Sequence, residues 1–404
     1  MEIHNGLLYW PITYTRKPHT NGEIAPMYDA VIVGGGMSGI LTAKALIDEG
    51  LKVALVDKRL PGEGSTAANT GLLQYSNDIM LYELIEQIGE KDAVRFYELC
   101  LEALDHLEQI ASTLGDNADF IRRPSIYYAS SKKEVKKLQK EYQILSQHGF
   151  PCVYWDRQEV IDQVGFDKHA ALVTYKDAEI NPYKFAVQLV EQLQARGLDV
   201  FENTMVNIIE RHGDTFELHT IEGIFHTKKI IYTVGYEKLP FGKMKGANVN
   251  RSFVAITNVI ENWQPWFEQA LIWETARPYL YMRTTAENRI IIGGRDEGKK
   301  KAPKTLDKIE KEAEHLIDGF KELFPHIEVE IEFLYGASFG ESLDNLPFVG
   351  EHPDEPGHYY LLGFGGNGTV CSMLGSLILK DLIANRPNVD AHIVSVNRKF
   401  GLKK

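Results

Sequence analysis

The stretch that most constrains this chain is Tyr28–Gly39, YDAVIVGGGMSG, answered by Lys52–Lys58, KVALVDK. Asp29–Val33 is apolar, rich in β-branched residues and free of turn formers, the pattern of a parallel strand buried on both faces. Gly34, Gly36 and Gly39 follow at G-x-G-x-x-G spacing and open an amphipathic helix expected over Ser38–Glu49. Gly34 lets the chain turn sharply, Gly36 lets a pyrophosphate approach the backbone, and Gly39 lets helix and strand pack closely. The helix N-terminus offers free N–H groups to the phosphates. Gly50 stops the helix, Leu51–Val56 reads as a second strand, and Asp57 closes it where a carboxylate can hold a ribose diol. Strand, loop, helix, strand and acid in that order imply dinucleotide binding. The acid implies an unphosphorylated adenosine ribose, hence FAD or NAD rather than NADP.

The 404 residues are 44% hydrophobic, enough for two or three domains with large cores. A formal charge of −12 leaves no basic excess to neutralise phosphates, so no nucleic-acid partner is expected. The run Lys299-Lys300-Lys301 reads as a solvated loop. Cys100, Cys152 and Cys371 are odd in number and far apart, without disulfide or zinc spacing, and the N-terminus lacks a basic region followed by an apolar core; a cytoplasmic protein without a bound metal is the expectation. Tyr359–Leu379 is uncharged, but its LLGFGGNGTV half is too glycine-rich to span a membrane, and no membrane span is expected.

Residues 1–27, with Tyr9-Trp10-Pro11, read as an arm packed over the surface. Pro61–Gln74, PGEGSTAANTGLLQ, offers small residues and hydroxyls to a flat ligand. Helical periodicity runs through 78–113, followed by a strand Arg122–Ser130, a charged helix Lys132–His148, a strand Pro151–Tyr154 and a helix Glu159–Val164. Asn181 caps a helix that Pro182 begins. Strands are expected at Val200–Phe201, Thr204–Arg211, Phe216–Thr220, Lys229–Thr233, Arg251–Glu261 and Leu271–Glu274. Pro278–Thr284 and Arg289–Gly294 read as a hairpin, Thr305–Phe324 as an amphipathic helix, Glu328–Tyr335 and His358–Leu362 as strands, and Thr369–Asn385 as a closing helix. Between the last two lies a second glycine loop, GFGGNGT, Gly363–Thr369. A tight turn explains one or two glycines there but not four in six positions; a second helix N-terminus is again aimed at a ligand.

GGGMSG, GSTAANTG, KIIYTVGYE, DNLPFVG and LLGFGGNGT, in that order, resemble the glycine/D-amino-acid oxidase family of FAD enzymes. WETARPYLYMRT and RIIIGG resemble in particular its bacterial members near the γ-glutamylputrescine and sarcosine oxidases. The resemblance implies an α/β (α+β) fold: a Rossmann-type FAD-binding domain with a second, substrate domain built on a mixed, largely antiparallel sheet. The FAD-binding domain would take 28–77, 166–248 and 336–404, and the substrate domain 78–165 and 249–335. It implies that Gly34, Gly36, Met37, Ser38 and Gly39 hold the pyrophosphate, and Asp57 and Lys58 lie at the adenosine ribose. Ser65, Thr66, Asn69, Thr70, Gly71 and Leu72 would line the ribityl chain and ring. Val206 would lie at the adenine, Gly235 near the pyrophosphate, and Gly363, Gly365, Gly366, Asn367, Gly368 and Thr369 at the C2 side of the ring.

The chemistry the resemblance implies is hydride transfer from the carbon beside an amine to flavin N5, giving an imine that hydrolyses, with oxygen or another acceptor taking the electrons. The substrate would be a small amine or amino acid: a D-amino acid, an N-methyl amino acid or a polyamine derivative. The protein must then supply positioning, typically an arginine clamp and aromatics. Arg277, Tyr279, Tyr281 and Arg283 share one strand face by period two and are the candidates. Tyr335 is a weaker one; His352 and His358 are expected at the surface. Gly336–Ser342, GASFGES, has no cysteine where relatives attach the flavin, so FAD is expected to be non-covalent. Ile291 lies where oxidases of the family carry a lysine credited with activating oxygen, which keeps a dehydrogenase with another acceptor in view. An NAD-linked dehydrogenase or a flavoprotein related to tRNA modification are the remaining alternatives.

Overall fold

The computed structural model describes residues 3–237, 239, 246–261, 266–363 and 365–400. Phe364 of the second glycine loop and residues 240–245, near the boundary expected at 248, lie outside them.

Six strands form one sheet, in the order Phe348–Glu351, His358–Leu362, Ile230–Tyr232, Ala30–Val33, Val53–Val56, Asp199–Phe201. All its pairings are parallel except that of Phe348–Glu351 with His358–Leu362. Val31, Ile32 and the whole of Val53–Val56 are fully buried, as continuous apolar strands covered on both faces must be. The helices Met37–Asp48 and Gly368–Ile383 each follow a strand of this sheet and pack against one another. A smaller three-stranded antiparallel sheet, Ile208–His212, Thr215–His219 and Ile224–Thr227, stands beside it; the last of these strands was not anticipated.

A ten-stranded mixed sheet makes the second layer. The hairpin read around 286–288 is formed by Leu280–Thr284 and Ile290–Glu297, and Ala247–Thr257 and Ile331–Ser342 continue the sheet beyond it. Its faces have different covers. Phe253, Ala255, Met282, Ile290 and Ile292 pack under the helix Leu306–Leu323, whose Ile309, Leu316 and Phe320 are buried there. Val254, Ile256 and Ile291 face the other way, toward Ala67 and Ala68 of the first cofactor-side loop.

Three expectations change at this sheet. Ala170–Glu179, unread in the sequence and placed with the nucleotide-binding pieces, is a ten-residue strand between Ile121–Tyr128 and Leu72–Leu73 in the large sheet. Ile331–Ser342 crosses the boundary set at 336. The N-terminal arm packs over the surface at Lys17, which pairs with Glu191, and at His19, bonded to the Val200 carbonyl, but its start is built in: His4–Gly6 pairs with Ile331–Ser342, and Trp10 is buried.

Candidate active site

Both glycine loops deliver a helix N-terminus to one cavity of about 880 Å³. Gly34, at φ +113°, turns the chain out of its strand, and Thr233 Oγ1 donates to its carbonyl at 2.7 Å. A Cβ on Gly39 would lie 1.9 Å from the Gly34 carbonyl oxygen, so the helix approaches this closely only because glycine stands there. Gly34, Gly36, Met37 and Ser38 line the cavity, and Gly39 lies behind them. The Met37 N–H donates to Thr66 Oγ1 at 2.9 Å, and the Ser38 and Ser372 hydroxyls are hydrogen-bonded at 2.9 Å, joining the two glycine-loop helices at their starts.

One end of the cavity is set by Asp57, Lys58, Val206 and Gly235, with Ile209, Phe216 and Tyr232 beside them. Asp57 accepts backbone N–H bonds from Gly35 and from Arg59, the latter at 2.7 Å, while burial pushes its carboxyl up. A carboxylate has about four acceptor positions, so it keeps capacity for a diol. Lys58 pairs with Glu237 at 2.8 Å. His358 is also here, contrary to its expected surface position: it is buried, its Nδ1 lies 2.9 Å from the Tyr232 hydroxyl, and burial lowers its pKa to about 4.

Further along, Ser65, Thr66, Asn69, Thr70 and Leu72 line the cavity, opposite Gly363, Gly365, Gly366, Asn367, Gly368 and Thr369. Gly71 does not line it; its role is packing, since a Cβ there would lie 2.2 Å from the Ile180 carbonyl. The second loop is pinned to the segment after the first: the Gly366 N–H donates to Asp78 at 3.0 Å, and Asn367 Nδ2 donates to the Gln74 carbonyl at 2.7 Å. The buried Thr369 hydroxyl finds no hydrogen-bond partner among the described residues.

Trp273, Tyr279 and Tyr281 of the large sheet, with Ser252, Asp296 and Asp78, line the same cavity and form its aromatic chamber. The clamp expected from the hairpin is not assembled. Tyr281 faces the chamber, and Arg283 shares its sheet face. Yet Arg283 is only 2% exposed and spends its donors on the carbonyls of Thr70, Ile180 and Thr284 at 2.7, 2.8 and 3.0 Å. It lies over the Trp10 ring and 3.6 Å from Glu179, a buttress under the cofactor-side loop rather than a wall of the chamber. Arg277 is exposed and stacks on Tyr279 with 4.9 Å between guanidinium and ring centroid, at the edge of the chamber. Tyr335 is buried below, donating to the Ala68 carbonyl at 3.1 Å.

Sequence reasoning passed over Trp273, Asp78 and Asp296. Period two runs from Ile291 to Gly293 on the chamber face and would bring Arg295 there next. Instead Arg295 takes φ +60°, and Ser252 alone stands between Arg251, which pairs Glu297, and Phe253, which pairs Gly294. This bulge reverses the alternation. Arg295 goes to the helix side, donating to Glu312 at 2.8 Å, and Asp296 goes to the chamber. Burial, with Asp78 and Glu341 adding repulsion, raises Asp296 to about 6.

The residues present fit FAD. One cavity takes two helix N-termini, a glycine whose Cβ would lie 3.3 Å from Thr66 Oγ1 at Gly36, the acid Asp57 and an unpaired buried hydroxyl at Thr369. This is the architecture of a flavin-dependent oxidoreductase. The FAD dependent oxidoreductase (DAO) family model matches residues 29–382, and the chain belongs to that family. It is an enzyme with FAD as cofactor. It is 23% identical over 380 residues to the gamma-glutamylputrescine oxidoreductase of Escherichia coli (strain K12), covering 88% of this chain and 82% of that one. The crystal structure of glycine oxidase from Geobacillus kaustophilus superposes with a TM-score of 0.78 at 19% identity, covering 93% of this chain and 99% of the other. That of L-proline dehydrogenase from P. horikoshii superposes at 0.75 and 16%, covering 92% and 97%. Among the described residues no helix is long and apolar enough to cross a membrane.

Proposed function

We propose that this enzyme oxidises the C–N bond of a small amine or amino acid held in the Trp273–Tyr281 chamber, with FAD bound non-covalently along the rest of the cavity. Gly34, Gly36, Met37 and Ser38 would hold the pyrophosphate, Asp57 the ribose, and residues 65–72 with 363–369 the flavin end. The observation that carries this reading is the continuity of the cavity from the two helix N-termini into an aromatic chamber. Relatives named for glycine and for gamma-glutamylputrescine both point to nitrogen-bearing substrates. FAD held by these residues would supply the two-electron acceptor for the hydride on the carbon beside the nitrogen, and the imine left behind would be hydrolysed by water. The chain's own part is to exclude water and orient the carbon. Cys100 and Cys371 are buried behind the cavity wall and, like Cys152, do not line it, which supports non-covalent binding.

A dehydrogenase passing electrons to something other than oxygen is the second reading. Ile291, where the resemblance implies a lysine, is fully buried among Val254, Ala67 and Ala68. Anaerobic titration of the purified yellow protein with amines and amino acids tests both. Loss of the visible flavin band with one class supports amine oxidation, and slow return in air supports the dehydrogenase. A flavin that no amine or amino acid reduces overturns the proposal.

A further inference from the structure

The chamber has the opposite charge from that of a carboxylate clamp. Asp78 and Asp296 stand on its wall, and neither has an ion-pair partner within 4 Å among the described residues. Asp296 Oδ1 is buried without a hydrogen-bond partner, and its ionised form is favoured by the Ser252 hydroxyl and, from the chamber's edge, by Arg277. The two arginines that could have neutralised this wall are held elsewhere. Arg283 is bound to three backbone carbonyls, and the bulge sends Arg295 to Glu312. Arg277 remains outside, exposed on Tyr279.

The other walls suit a cation as well. Trp273, stacked on Tyr127 at 3.8 Å, and Tyr279 and Tyr281, with centroids 5.7 Å apart, present π-systems beside the two acids. Aromatic faces next to carboxylates recognise alkylammonium groups, and the attraction grows as the site is desolvated. Trp273 is 7% exposed, and its indole N–H has no acceptor among the described residues, a second sign that this wall is completed by a ligand. A substrate carboxylate placed here would face Asp78 and Asp296, with Arg277 at the edge, over Tyr279, as the cation acting on Asp296.

We propose that the substrate of this enzyme carries a second, positively charged nitrogen besides the amine that is oxidised, and that Asp296 and Asp78 bind it within the cage of Trp273, Tyr279 and Tyr281. The substrate class is then a diamine or an amine with a distal ammonium, rather than an amino acid. This rests on the reading of the cavity as an amine-oxidising site.

The test compares 1,4-diaminobutane with 4-aminobutanoate and butylamine in anaerobic flavin reduction by the holoenzyme. It also follows binding of a non-oxidisable bis(trimethylammonium) alkane by perturbation of the flavin spectrum. The diamine is expected to have the highest kcat/KM, by about tenfold or more over either analogue. Asp296→Asn should raise its KM on the order of tenfold with little change in kcat and lower the preference for the diamine over butylamine by a similar factor, a split that general damage to the fold would not produce. Asp78→Asn, on a different element, should act in the same direction. The bis-quaternary probe should bind wild type and be weakened in both variants. Faster reduction by amino acids than by any diamine, or no binding of the probe, overturns the cation subsite while leaving amine oxidation intact. If no nitrogen compound reduces the flavin but the probe binds and Asp296→Asn abolishes that binding, the oxidation reading fails and the subsite stands.

Discussion

Arg295 and Asp296 are neighbours on one strand, and strict alternation would turn Arg295 to the chamber and Asp296 to the covering helix. In the structure Arg295 meets Glu312 of the covering helix at 2.8 Å, and Asp296 stands in the chamber wall. One residue in the left-handed region, Arg295 at φ +60°, exchanges a positive for a negative side chain beside the substrate.

That placement costs stability in a way pH can read. Asp296 is raised to about 6 by burial, against 3.8 ordinarily. The unfolded chain therefore loses this proton first, and stability declines as pH rises between the two values, by about 3 kcal/mol in full. Asp296→Asn, which removes no hydrogen bond from Oδ1, should raise Tm at pH 8 and not at pH 4. Equal effects at both pH values would contradict the buried ionised carboxylate.

His358 has the reverse sign. Its folded pKa of about 4 lies below the usual 6.5, so the unfolded chain takes up a proton first as pH falls. The loss of stability should run from pH 6.5 down to 4. Thermal melts of His358→Phe across this range should show a shallower decline, since Phe216 and Tyr232 already make an aromatic seat for the ring.

The glycines separate fold from cofactor. Gly39→Ala puts a Cβ 1.9 Å from a backbone oxygen, and the helix must move, at about 1–3 kcal/mol or more. Gly36→Ala meets only Thr66 Oγ1 at 3.3 Å, so melting of the flavin-free protein should change by less than about 1 kcal/mol. Its FAD dissociation constant, measured by flavin fluorescence, should nevertheless rise more than about tenfold, because the added methyl stands where the backbone would meet the pyrophosphate.

Arg283→Met distinguishes a buttress from a clamp. It leaves three carbonyls and Glu179 without their buried cation, with an expected loss of about 3–5 kcal/mol in urea unfolding. The substrate KM of the surviving folded enzyme should change far less than that of Asp296→Asn. A large rise in KM with unaltered stability would return Arg283 to the substrate.

Much of the architecture was legible because it is local. The hairpin Leu280–Thr284 with Ile290–Glu297 follows from alternation on either side of Ala286-Glu287-Asn288, and Asn181 caps its helix by accepting the Lys184 N–H at 3.0 Å. Ala170–Glu179 escaped because its alternation breaks at Lys176, φ +70°, and because it buries Asp177 and Glu179, which are satisfied by the Tyr75 N–H of a loop, by Thr174 and by Arg123 of the neighbouring strand. His358 reads as a loop-edge residue until Tyr232 and Phe216, from other strands, close over it.

The sequence by itself determined the two glycine loops, their helices and the acid after the second strand, and with them the cofactor. Each depends on backbone freedom and spacing within a few residues, which composition records directly. Only the tertiary structure decided what faces the substrate. Whether an arginine points to the chamber or beneath it depends on carbonyls a hundred residues away in the chain and on a bulge set by the pairing of three strands. Local spacing carries no trace of those long-range partners, and they determine the charge of the chamber.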